Sequence, residues 1–88
     1  MSMHKVLKQS ELDELNLALN VEGFPFHIEQ IQGLSVYTYV LNNALGLVSN
    51  IAKINPEANE WLHNYIRDKF KYTVIGQPGN KFVIMDIY

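Results

Sequence analysis

Cysteine is absent from this chain. A disulfide framework, a thiolate nucleophile and a zinc–thiolate site are therefore excluded. Charge is scarce as well, at 18% of residues against the usual quarter. It is missing altogether from Gln30 to Ala52, 23 consecutive residues between Glu29 and Lys53 in a chain of 88. A stretch so poor in charge is buried on most sides, by its own chain or by a partner. An excess of positive charge is also lacking. The net charge of −2 argues against a strong binder of nucleic acid or of anionic membranes. The opening residues lack the charged, apolar, small-residue order of a signal peptide, so a cytoplasmic protein is the expectation. Asn42, Asn43, Ser49, Asn50 and Lys53 interrupt the central apolar stretch too often for a membrane span.

Catalytic constellations are lacking too. His4, His27 and His63 are not spaced as metal ligands, and no cofactor motif occurs. His27-Ile28-Glu29 matches the H-x-E fragment of zinc deaminases, whose paired-cysteine motif this chain does not have. Carboxylates gather at Glu11, Asp13 and Glu14, and again at Glu57 and Glu60. Both groups fall at expected helix starts, where the helix dipole favours them without any catalytic role. His63 lies one turn from Glu60 and Arg67, which suggests a helix-surface ion pair. No serine sits in a nucleophile elbow. Gly76-Gln77-Pro78-Gly79 has the G-x-x-G form of a KH loop, but strand-like runs flank it and Pro78 removes an amide donor, so a hairpin turn is expected. The expectation is a protein that is not an enzyme.

What is present is organisation. At 10.1 kDa the chain is expected to form one domain, residues 1–88, of the α+β class. Leu12, Leu15 and Leu19 give a helical stripe, Ser10 precedes an acidic first turn, and Gly23 and Pro25 end the pattern, which predicts a helix over about 10–22. Residues 24–32 fit either a short strand at 26–31 or a single helical turn, a segment too short for periodicity to decide. Over 35–54 the polar or small positions fall at Ser35, Thr38, Asn42, Gly46, Ser49 and Lys53, a period close to that of a helix. Local propensity opposes this, because Val36, Tyr37, Thr38, Tyr39 and Val40 are strand formers. The periodicity predicts a helix over 35–54. The alternative makes its N-terminal part a strand paired with 26–31 around Gln32-Gly33. Asn55 and Pro56 start a helix over 56–70 with Ala58, Trp61, Leu62, Tyr65, Ile66 and Phe70 on one face. Residues 71–76 and 81–87 form an antiparallel hairpin around Pro78-Gly79.

Function is expected to follow from the central helix. Its polar stripe of Ser35, Thr38, Asn42, Gly46 and Ser49 carries small uncharged groups that let another backbone approach, so it is the expected interface. A self-associating protein, a homodimer, is predicted, acting as a regulator, adaptor or inhibitor of a larger protein partner. The alternative rests on element order, which resembles that of winged-helix regulators. In that reading 56–70 is the recognition helix, and Arg67, Lys69, Lys71 and Lys81 would contact nucleic-acid phosphates. The mixed charge on 56–70 argues against it.

Overall fold

The structure, a computed structural model, describes residues 4–32, 34–42, 55–77 and 80–87. Among them the chain order is β1 (His4–Lys5), α1 (Gln9–Val21), β2 (Phe26–Gln30), β3 (Val36–Leu41), α2 (Pro56–Tyr65), a π-helical turn (Ile66–Phe70), β4 (Tyr72–Gly76) and β5 (Lys81–Asp86). The class is α+β, with five strands in one antiparallel sheet.

The helix ends follow local chemistry. Gly23, at φ +85°, lets its own N–H reach Asn20 O and the Phe24 N–H reach Leu19 O, the paired bonds of a Schellman cap. Asn55 Oδ1 accepts from the Ala58 N–H at 3.0 Å, and Pro56 follows at the first helical position. The start of α1 departs from expectation. Its cap is Lys8, two residues before Ser10, and Glu11 reaches back to the cap N–H at 2.8 Å. Lys71, at φ +62°, closes the π-helical turn in the left-handed region.

The expected helix over 35–54 is not what residues 35–42 form. Val36–Leu41 is a strand, paired with β2 from Phe26↔Leu41 to Gln30↔Tyr37. Residues 43–54 lie outside the described residues. The reason is the placement of two rings. On a helix, positions two apart point about 200° away from each other, so Tyr37 and Tyr39 could not enter one core. On a strand they share a face. Both are buried, and both meet Phe82 of β5, at 5.6 and 5.4 Å between ring centroids. The tyrosines sit with Leu15, Leu19, Ile28, Leu62, Ile66 and Ile84 in a single core beneath both helices.

β5 organises the sheet. Along one edge it pairs with β4, from Tyr72↔Asp86 to Gly76↔Phe82, as the hairpin expectation required. Its other edge is shared end to end by two strands: β3 takes Lys81–Val83 and β1 takes Ile84–Met85. A contact of 3.2 Å between His4 Nδ1 and Ser35 Oγ bridges the join. Just past it, the Leu7 N–H donates to the buried Tyr37 hydroxyl at 2.7 Å.

Two asparagine side chains complete the backbone bonding around β3. Asn16 of α1 accepts from the Ile28 N–H at 2.7 Å and donates to Ile28 O at 3.0 Å. It thus takes both groups that Ile28 presents away from β3. On the other flank, Asn80 O accepts from the Tyr39 N–H at 3.2 Å, while Asn80 Nδ2 donates to Tyr39 O at 2.9 Å. Ile28 and Tyr39 are cross-strand partners whose backbone groups point away from each other, so Asn16 and Asn80 hold the same step of the ladder from opposite flanks. Removing the Asn16 carboxamide strands a donor and an acceptor at Ile28, and removing that of Asn80 strands the Tyr39 acceptor, an unpaired group costing about 1–3 kcal/mol where water is excluded. We expect Asn16→Ala and Asn80→Ala each to lower stability by about 1–3 kcal/mol in urea unfolding, and Asn20→Ala, on an exposed position of α1, to change it by less than about 0.5 kcal/mol.

Candidate interaction site

An unbroken row of aromatic rings runs along α2. Trp61 and Tyr65 are one helical turn apart and stack at 5.0 Å with 22° between their planes. Phe70 joins them edge-on to Tyr65 at 5.9 Å. Phe70 lies five positions after Tyr65, a spacing that leaves an α-helix face by about 140°. The π-helical turn bonds i to i+5, and that brings Phe70 back into line. At the other end Phe24, fixed by the cap of α1, meets Trp61 edge-on at 5.8 Å. All four rings are partly buried, with their inner edges packed on the core and part of each open to solvent.

Beside the row lies a groove of about 360 Å³, lined by Trp61, Asn64, Tyr65, Asp68 and Lys69. These positions repeat at three and four residues, so one stripe of α2 and its π-helical turn forms the wall. The Lys69 ammonium is held by Glu14 of α1 at 3.0 Å. That hydrogen bond, and the Glu14 charge behind it, raise the Lys69 pKa. Burial, followed by the Glu14 charge, raises that of the Tyr65 hydroxyl. The rim is thus a fixed ion pair and the floor is aromatic.

The expected interface stripe is not assembled. Ser35 immediately precedes β3 and contacts His4. Thr38 is buried in mid-strand, its Oγ1 turned to Asn80 O at 3.5 Å. Asn42, just past the strand, accepts from His27. These three lie within β3 and just beyond its two ends, each with its own partner, and Gly46 and Ser49 lie outside the described residues. The four cations of the nucleic-acid alternative do not form one basic surface. Arg67 pairs with Asp68 at 3.1 Å, Lys69 with Glu14, and Lys71 donates to Asp68 O at 3.0 Å. Lys81 is exposed on β5, opposite Thr38. β3 occupies the first part of the span in which that reading places its middle helix, and the rest of that span lies outside the described residues.

A second cluster was only half legible. His27 and Glu29 alternate along β2 and so share a face. His27 Nε2 lies 2.6 Å from Glu29 Oε2, and His27 Nδ1 lies 2.8 Å from Asn42 Oδ1. Two oxygens facing two ring nitrogens suit the doubly protonated imidazolium. Both nitrogens are occupied, so the ring serves to tie the end of β3 to β2. A polar cleft of about 490 Å³ lies alongside, lined in part by Gln9, Asn16, His27 and Glu29. His63 makes no ion pair among the described residues, contrary to expectation, and burial lowers its pKa. Among the described residues no three His, Asp or Glu side chains converge as metal ligands, and no helix is long and apolar enough to cross a membrane.

No protein-family model matches the chain, no curated protein matches it, and no solved structure matches it.

The His27 cluster carries a pH dependence whose sign is set by its partners. Burial on its own would lower the His27 pKa; the hydrogen bonds to Glu29 and Asn42 and the Glu29 charge outweigh it and raise the pKa above 6.5. The folded state therefore favours the protonated ring. The stability it contributes is fully present below the unfolded pKa of about 6.5 and is lost as pH rises through the folded value. An NMR titration should place the His27 midpoint above 6.5, and Glu29→Gln should bring it down.

Proposed function

We propose that this chain is a non-enzymatic interaction protein that docks a larger protein through the aromatic row of α2 and regulates it, as an inhibitor or adaptor. The row Phe24–Trp61–Tyr65–Phe70 carries this reading. Interface hot spots favour Trp and Tyr that are rigid before binding, because little side-chain entropy is then lost. Here each ring is held by the next, and the helix below is anchored by Ala58, Leu62 and Ile66 in the core. Rings that keep an exposed edge beside a groove offer apolar surface to a partner's aliphatic side chains. The Glu14–Lys69 pair at the rim supplies one charge of each sign for orientation.

The carboxylates and histidines support the same view. The one close His–Glu pair, His27 with Glu29, has its second ring nitrogen tied to Asn42, which leaves neither nitrogen for a substrate proton.

Immobilised protein should capture a discrete partner from a lysate of its own source. Asn64→Arg fills the groove from an exposed position and should abolish capture without changing the melting temperature. Trp61→Ala should abolish it as well. Glu57→Arg, at the exposed start of the same helix and outside the groove, should capture normally. Equal capture by all three variants would defeat the proposal.

A further inference from the structure

The two edges of the sheet are finished differently. At β2 the outward N–H and C=O of Ile28 are both taken by Asn16. At β4 the Gln77 N–H bonds to Lys81 O. Antiparallel alternation then turns Thr73 and Ile75 toward β5, and turns the backbone groups of Tyr72, Val74 and Gly76 outward. Among the described residues no other strand or backbone group bonds to these outward groups. Edge strands are usually blunted by a charged side chain, a proline or a bulge. Within Tyr72–Gly76 there is no charge and no proline, and Ile75 is 42% exposed on the face away from the helices.

We infer that β4 is a homodimerisation edge. It pairs antiparallel with β4 of a second copy about a two-fold axis through Val74, so that one sheet runs through both copies. This adds a surface and a partner to the interaction role proposed above, and rests on that role only in taking the chain to act by contact. The sequence of the strand argues for a second copy over an unrelated strand. A two-fold axis at Val74 sets Tyr72 opposite Gly76 of the other copy. Among the described residues nothing lies within 4 Å of a Cβ added at Gly76, which leaves room for the tyrosine ring. An aromatic side chain placed across from an edge glycine is a known way to offset the glycine's lack of packing. Thr73 faces Ile75 on the second face, and Lys71 falls opposite Gln77, so no like charges oppose each other. Val74 exchanges both backbone bonds with its own counterpart, and the Tyr72–Gly76 pairs do the same on either side.

One pair of short strands buries less than a standard interface, so a weak dimer is expected. Sedimentation equilibrium from about 10 μM to about 1 mM should show the mass rising toward that of two chains, a range that covers such affinities. Two substitutions spare the monomer. Gly76→Pro removes only an outward N–H, at a position whose φ is not positive. Ile75→Lys places a charge at an exposed position. Each should weaken association at least about tenfold, or about 1.4 kcal/mol. Amide exchange at Tyr72, Val74 and Gly76 should slow with protein concentration, while Thr73 and Ile75 stay protected throughout. A chain that stays monomeric over the whole range overturns the inference, and so does a dimer that survives both substitutions. A β4 dimer whose groove captures nothing would uphold this inference and remove the proposed function; capture by a monomer would do the reverse.

Discussion

The sheet hangs on one step of the β2–β3 ladder, where Asn16 holds the outward backbone groups of Ile28 on one flank and Asn80 holds those of Tyr39 on the other. Strand side chains alternate with a period of two, so a slip of one residue turns every side chain to the opposite face. For β3 such a slip would expel Tyr37 and Tyr39 from the core and bring in Thr38. The two carboxamides oppose it from both flanks. Asn16 fixes β2 to α1, and Asn80 fixes β3 to the start of β5. Because Ile28 and Tyr39 face each other, both constraints act on the same step of the β2–β3 ladder. The contacts of Phe82 with both tyrosines, stacked on Tyr37 and tilted against Tyr39, follow from that register.

The parts of the fold that could be read in advance are those decided within a few residues. Gly23 before Pro25 and Asn55 before Pro56 carry their own backbone instructions, and the two apolar runs flanking Pro78-Gly79, a pair outside the described residues, do join as a hairpin. The centre could not be read this way. Tyr37, Thr38 and Tyr39 are all buried, so β3 is covered on both faces at its middle. A strand of that kind loses the in-and-out alternation that marks a half-exposed one. What remained was the spacing of Ser35, Thr38 and Asn42, which matched a helix. In the structure those residues answer to unrelated partners, namely His4, Asn80 and His27. The absence of charge over 36–41 reflects a strand inside its own sheet, not a rod left for another molecule to cover.

The candidate site was legible to a similar degree and for the same reason. Trp61 and Tyr65 stand one α-helical turn apart, so their shared face was evident. Phe70 belongs to that face only through the π-helical turn, which local sequence does not announce. Phe24 reaches Trp61 because α1 ends where it does, a tertiary fact. Asn16 reads as one polar residue on an amphipathic helix. Its role depends on where the β2 edge passes, and nothing within α1 specifies that.

The π-helical turn also links the two surfaces. It ends at Lys71, whose left-handed backbone redirects the chain straight into β4. Phe70, the last ring of the row, and Tyr72, the first outward residue of the edge, are thus separated by one residue. A non-glycine residue held at positive φ costs about 1 kcal/mol or more, and it persists where surrounding contacts enforce it. The enforcing contacts are visible. The Lys71 N–H bonds Arg67 O, its ammonium bonds Asp68 O, and Tyr72 is already paired with Asp86. Converting the turn to regular α-helix would remove the extra residue that aligns Phe70 and would shift the entry to β4. Groove and edge therefore share one backbone feature, and the chain cannot remodel one without disturbing the other.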